Sequence, residues 1–327
     1  MDILNPRALR ESADRALARG REPKKLVYTY AGAGVAIALL ATLADLWLDT
    51  QISGTGGLGN MGTRAIFSTA QTIIPVIVFL VTLCLELGYL SGMLRISRGQ
   101  YADHTDLKTG FQKFWPLMRL TLLQGLIYLA VVILAAQIGA LVFSMTPWAE
   151  PLLQAFSALE GMDIYSLDES TLTQLLVLMI PMYVVVAIVC LICLIPYLHK
   201  MRMSFFCLLD DPHGKAMAAI RASTRMMRHR FIAMLKIDLS LWLYYAAMTL
   251  VTVLMWSDLI LAILGVSVPM NATLFSLLIY GAALAVQFLA QITLRNRVEA
   301  TYLMAYDQLR EKPKDSGPVV LGNIFDM

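Results

Sequence analysis

Six apolar runs, each long enough to cross a bilayer, alternate with connecting segments whose charge changes sign from one to the next. No other feature narrows the possible folds as far. The runs lie near 26–48, 67–93, 117–144, 172–197, 232–255 and 273–294. Each exceeds the roughly 20 residues that carry a helix across about 30 Å of hydrocarbon. Inside lipid every backbone N–H and C=O must bond within the protein, so the helix is the economical spanning form. The period-two alternation of a membrane barrel is absent. Composition points the same way: 58% hydrophobic and 15% charged, against about half and a quarter in soluble domains. The fold expected is all-α, a polytopic membrane protein with six transmembrane helices and amphipathic lead-in helices on one side.

Charge sets the orientation. Every lysine and arginine except Arg64 falls in the N-terminal segment, in 94–119, in 198–236 or after 294. The other connections hold Asp49, Glu150, Glu160, Asp163, Asp168, Glu169 and Asp258. Basic residues stay on the cytoplasmic side, so both termini are expected there. About 25 mostly polar residues precede the first run, which is too long for the core of a cleaved signal. The chain therefore divides into a cytoplasmic amphipathic segment (1–25), a six-helix transmembrane domain (26–309) and a cytoplasmic tail (310–327).

Each outward-going run has a charged lead-in: RALRESADRALARGREPKK, DLKTGFQKFWPLMR and KAMAAIRASTRMMRHR. This suggests three helical hairpins, each entered along the membrane surface. The third lead-in opens the stretch AIRASTRMMRHRFIAMLKIDLSLWLYYAAMTL, residues 219 to 250. Asp211-Pro212 reads as its helix start, an N-cap followed by proline at the first helical position. Met217, Ile220, Met227 and Phe231 then form one stripe and Arg221, Arg225 and Arg228 a neighbouring one. The pattern suits a helix in the headgroup layer, with guanidiniums on lipid phosphates. It equally suits a connector whose apolar face packs on the protein. Base-stacking aromatics and a nucleic-acid module are missing, so no nucleic-acid partner is expected.

Glu86 in the second run and Asp238 in the fifth are carboxylates set among apolar neighbours. An ionised carboxylate near hydrocarbon needs a cation, a hydrated cavity or a proton. The candidate intramembrane polar site is Glu86, Asp238, Arg119 and Lys236, with Lys200 and Arg202 bordering the same half. It reads either as interhelical bracing or as an ion- or substrate-linked site. Gln124, Gln137, Gln287 and Gln291 are suited to interhelical hydrogen bonds. Gly34, Ala38 and Thr42 give the first run a small face for close packing. Pro75 and Pro181 sit inside the second and fourth runs, where they favour kinks. PWAEPLLQAFSAL, in the segment 147–171, suggests an interfacial helix on the far side.

Catalytic and cofactor signatures are weak. Cys190 and Cys193 form a C-x-x-C, but no second ligand pair accompanies it. They and Cys84 and Cys207 read as small apolar helix residues. GTGGLG at 54–59 matches a dinucleotide fingerprint only outside the strand-to-helix context that gives it meaning. His104, His199, His213 and His229 lack metal-ligand spacing. No metal, cofactor or catalytic residue is expected.

The run GYLSGMLRISRGQYADHTDLKTGFQKFWPL resembles the DUF975 family of bacterial integral membrane proteins, through Arg98, Gly99, Asp106, Leu107, Gly110 and Phe111. The stretch from Ala219 is similar through Ser223, Met226, Met227, Leu239 and Ser240. The ending EATYLMAYDQL and the N-terminal Arg10, Ala13, Ala16 and Leu17 fit as well. Leu241-Trp242 stands where the family pattern has Gly-Trp, and the Pro-Tyr before the closing helix is missing. The resemblance implies a six-helix protein of the bacterial cytoplasmic membrane and brings no binding residues with it. The function expected is non-enzymatic: organising lipid or a partner protein through the cytoplasmic face. The partners expected are membrane lipids and a second copy or another membrane protein. A small-solute or ion transporter using Glu86 and Asp238 is the competing reading, and a lipid-modifying enzyme a third.

Overall fold

The computed structural model describes residues 4–19, 23–54, 61–158, 169–211, 214–257, 260–261 and 272–311. It is almost wholly helical, with no strand among the described residues. The helices are α1 (Pro6–Arg19), α2 (Pro23–Gly54), α3 (Met61–Ser97), α4 (Lys108–Gln112), α5 (Phe114–Ser144), α6 (Ala149–Ala158) and α7 (Glu169–Met201). They continue as α8 (Ser204–Asp210), α9 (Ala216–Met227), α10 (Phe231–Ser240), α11 (Trp242–Met255), α12 (Ala272–Ala290) and α13 (Asn296–Glu311). A 3₁₀ turn, His104–Leu107, precedes α4, and a π-helical turn, Gln291–Arg295, joins α12 to α13.

Five helices are long and apolar enough to cross a membrane, six if the bent pair α10–α11 counts as one span. At most 28% of the apolar window of any of the five is buried within the protein. Surfaces such as Leu40, Leu122, Leu134 and Ile192 stay exposed, far more contiguous apolar area than water tolerates. The chain is a multi-pass, all-α membrane protein.

Two features depart from the sequence pattern. The fifth run is not one straight helix: α10 and α11 meet at 74°. Leu241, φ −107° and ψ 19°, stands at the corner. No proline or glycine lies there, so local preference does not explain the bend. Tertiary partners hold it instead. Met234 and Ile237 of α10 are buried, α11 packs along α12, and Arg10 of α1 donates to the Ser240 carbonyl at 3.2 Å. That bond serves a carbonyl that the broken helix would leave without a partner. The second departure is length. The sixth run ends near 294 by hydropathy, yet the helix continues through the π turn to Glu311. Apolar residues of α13, among them Val298, Leu303 and Leu309, are buried, and α13 packs along α1. Polar residues on its other face do not stop it.

The chain forms two compact units, Met1–Leu117 with Leu208–Gly214 and Ile232–Met327, and Met118–Cys207 with Lys215–Phe231. In the first, α2 runs along α3, and the 3₁₀ turn and α4 lie against α3. Glycine permits that contact. A Cβ on Gly110 would collide with the Cys84 carbonyl, and one on Gly88 with the Leu107 backbone. In the second, Phe143, Ala149 and Leu152 form a core with Leu178, Met179, Met182 and Val185. The helix expected within 147–171 is α6, and it packs on α7. Gly139 brings the α5 backbone close to Val186 of α7.

Candidate functional site

Glu86 sits on α3, within the first unit. Tyr30 of α2 donates its hydroxyl to Glu86 Oε2 at 2.7 Å. Arg295, the last residue of the π turn, pairs through Nη2 with Glu86 Oε1. The Arg295 guanidinium lies 4.7 Å from the Tyr30 ring centroid and 5.1 Å from that of Tyr89, and those rings stack at 4.7 Å. Tyr89 donates to Asn296 Oδ1 at 2.7 Å. Arg295 is only 7% exposed. A cation buried this deeply needs both a counter-charge and a polarisable surround. The wide π turn helps to position it, the kind of local irregularity often found at functional sites. Its Nε finds no partner among the described residues.

The cation at Glu86 is thus Arg295, which hydropathy assigns to a connecting segment. Arg119 and Lys236, the cations expected at the intramembrane site, are both exposed on their own helices. Lys200 is exposed too, its ammonium 5.1 Å from the Tyr197 ring centroid.

Asp238 lies on α10, one turn before the bend. Tyr302 of α13 donates to Asp238 Oδ1 at 2.5 Å. Tyr245 of α11 is 2.6 Å from the Tyr302 hydroxyl. Because Tyr302 spends its proton on Asp238, Tyr245 is the donor in that second bond. The series Tyr245, Tyr302, Asp238 ties both arms of the bend to α13. α9 and α10 are separate helices, so Asp238 does not continue the stripe of Ile220 and Met227. The chain breaks at Arg228–Arg230, where His229 has φ +60°, and turns again at Leu241.

A second charged cluster lies beyond α3. Arg98 clasps Asp210 with both terminal nitrogens at 2.7 and 2.8 Å and reaches Asp307 at 3.1 Å. These hydrogen bonds hold the guanidinium more firmly protonated than usual. Tyr306 and Arg310 also donate to Asp210, at 2.8 and 2.7 Å. Nearby, Asp103 and Asp106 form a reciprocal cap on the 3₁₀ turn, and Arg95 holds Asp106 at 2.6 Å. The His104 N–H keeps the Asp103 carboxyl below its ordinary range. Of the pattern residues Arg98, Gly99, Asp106, Leu107, Gly110 and Phe111, Arg98 and Asp106 make these bonds and Gly110 the close approach to α3, while Phe111 is exposed.

On α9 the buried face is Ala219, Ile220, Ser223 and Met227, with Ser223 donating to the Lys200 carbonyl at 2.7 Å. Met217 and Phe231 remain exposed, so the expected apolar stripe is only half correct. The helix begins at Ala216 with Lys215 as its cap, not at Asp211-Pro212; Pro212 lies outside the described residues. Arg221, Arg225 and Arg228 are exposed.

Gln124 meets its expected role by donating to Ser204 Oγ at 2.5 Å, within the second unit. Of the small face Gly34, Ala38 and Thr42, Thr42 meets α12, its hydroxyl 2.7 Å from that of Tyr280, whereas a Cβ on Gly34 would find nothing within 4 Å. With Tyr30, Thr82, Gln287 and Gln291, Gly34 and Ala38 border a cavity of about 140 Å³. Asp45 lies near the end of the first apolar run, four residues before Asp49, where it reads as part of the acidic connection. Its Oδ1 is buried without a partner among the described residues. The four cysteines are free, and the described residues contain no group of three metal-ligand side chains. GTGGLG falls outside the described residues after Gly54. No protein-family model matches this chain, and no curated protein or solved structure does so either.

Proposed function

We propose that this is a non-enzymatic protein of the bacterial cytoplasmic membrane that organises lipid or a partner protein through its cytoplasmic face. Both termini and the lead-in helices lie on that face. The observation that carries this reading is the engagement of the two candidate-site carboxylates, Glu86 by Arg295 and Tyr30 and Asp238 by Tyr302. Groups bonded in this way brace helices. A transport site would hold its carboxylates ready for a passing ion or solute, which ranks that reading second. What remains outward is a basic surface, with Arg221, Arg225 and Arg228 exposed on α9. Such arginines, each worth about 1 kcal/mol near an anionic surface, favour acidic headgroups. The bacterial setting rests on the DUF975 resemblance, and the orientation on the charge distribution.

The test is lipid retention. Full-length protein is purified in mild detergent and its bound phosphatidylglycerol counted by native mass spectrometry. Replacing Arg221, Arg225 and Arg228 by alanine should lower the retained lipid several-fold with the helical circular dichroism unchanged. Equal retention by the wild type and this variant removes α9 from the proposal.

A further inference from the structure

Where α3 leaves its apolar span, a cleft of about 480 Å³ opens between α1, the end of α3 and α13. We infer that this cleft, lined by Ser12, Arg15, Arg19, Ser97 and Arg98, binds a phosphate ester of the kind found on an anionic lipid headgroup. The inference deepens the proposed function by giving one lipid a defined seat, and it rests on that reading for the cleft's cytoplasmic side.

Among the described residues the lining holds three guanidiniums, two serine hydroxyls that donate to the Ala8 and Leu94 carbonyls, and no carboxylate. That is an unusual balance beside α1, which also carries Glu11 and Asp14. Asp14 is turned away, taken by Arg297 at 2.7 Å. Arg98 is anchored from behind by Asp210 and Asp307, so its position is set before any ligand arrives. Among the described residues Arg15 ties only its Nε, to the Glu11 carbonyl at 3.2 Å, which leaves its terminal nitrogens for another acceptor. Planar guanidiniums suit phosphate oxygens through paired, charge-assisted hydrogen bonds.

An ordinary alternative is that these arginines compensate the negative end of α3. The backbone already closes that end. Gly99, at φ +74°, donates to the Ile96 carbonyl at 3.0 Å, and Gln100 donates to the Arg95 carbonyl at 2.9 Å. A left-handed glycine with two such bonds satisfies the last carbonyls of a helix without side-chain help. The arginines of α1 are therefore surplus to the cap. The apolar run of α3 ends near 93 and the helix at Ser97, so the cleft lies about one turn beyond the apolar run, on the side that the charge distribution assigns to the cytoplasm. Its volume exceeds what bare phosphate fills and leaves room for a glycerol-sized substituent.

The experiment titrates purified full-length protein in non-ionic detergent with dioctanoyl phosphatidylglycerol and, separately, with inorganic phosphate. Heat of binding is the readout. Two variants are compared with wild type: the double change Arg15→Gln and Arg19→Gln, and Ser12→Asp, which keeps the arginines but adds a repelling charge. The expected result is a rise in Kd for phosphatidylglycerol of about tenfold or more in each variant. Weak inorganic phosphate binding with the same dependence identifies a lipid site. Phosphate binding as tight as the lipid's identifies a free phosphate ester as ligand, and supports the same cleft. Wild-type affinity in both variants, or no binding of either probe to wild type, overturns the inference. The alanine variant at Arg221, Arg225 and Arg228 separates the two proposals. Phosphatidylglycerol binding lost there but kept in both cleft variants removes the cleft and leaves the proposed function standing.

Discussion

Among single residues, Glu86 and Arg295 depend on one another unequally. Arg295 is the more deeply buried of the two, and its guanidinium also rests on Tyr30 and Tyr89. Removing either charge strands the other in a poor solvent, whereas removing both strands neither. Arg295→Met should therefore destabilise the protein by about 3 kcal/mol. Glu86→Gln should cost a similar amount, because it leaves the guanidinium unpaired. The double variant should cost clearly less than the sum of the single losses. Thermal unfolding in detergent provides the measurement, and additive losses would show that the two side chains do not act as a pair. Glu86 is legible in the sequence because one carboxylate in a long apolar run stands out. Arg295 is not, because it sits just past the point where hydropathy falls, among other basic residues. Only the helix that continues through the π turn brings it back inside.

For the elements, glycine decides how closely helices approach. Gly110 puts α4 against the Cys84 carbonyl of α3, with no room for a methyl group. Gly125 of α5 has nothing within 4 Å of the same position. Gly110→Ala should accordingly cost roughly 2 kcal/mol through backbone displacement. Gly125→Ala should be neutral or stabilise by up to about 1 kcal/mol, since alanine is the better helix former. Chemical denaturation of the two variants in one detergent makes the comparison, and equal effects would remove the close-approach argument. The sequence shows that both glycines lie in helix-forming stretches but not which faces a neighbour. The bend at Leu241 is illegible for a related reason. The residues there favour a continuous helix, and the contacts that break it come from α1, α12 and α13.

For the whole molecule, the charge distribution makes a prediction independent of any side-chain contact. Protease-cleavable tags at the two ends should both be cut in inside-out vesicles and both be protected in spheroplasts. A tag cut in spheroplasts would mean an odd number of crossings, or the opposite orientation. The broken span α10–α11 makes this a real test, because a pair that dips into the membrane and returns would leave five crossings.

The class of this protein and the approximate place of each apolar helix follow from the sequence alone, though not the bend at Leu241 or the continuation of the last helix past 294. A helix that crosses lipid satisfies its backbone internally, and the length and apolarity of each run suffice to specify it. Of the lead-ins, α1 is legible for the same local reason, whereas the second divides into a 3₁₀ turn, α4 and the start of α5, and the third begins at Ala216 and breaks after Met227. What the buried charges do was decided only by tertiary structure. The partners of Glu86 and Asp238 come from α2 and from the stretch beyond residue 294, far along the chain. So does the clustering of Arg15, Arg19 and Arg98 around one cleft. Hydropathy records the solvent each residue prefers, and distant contacts that meet only on folding leave no trace in it.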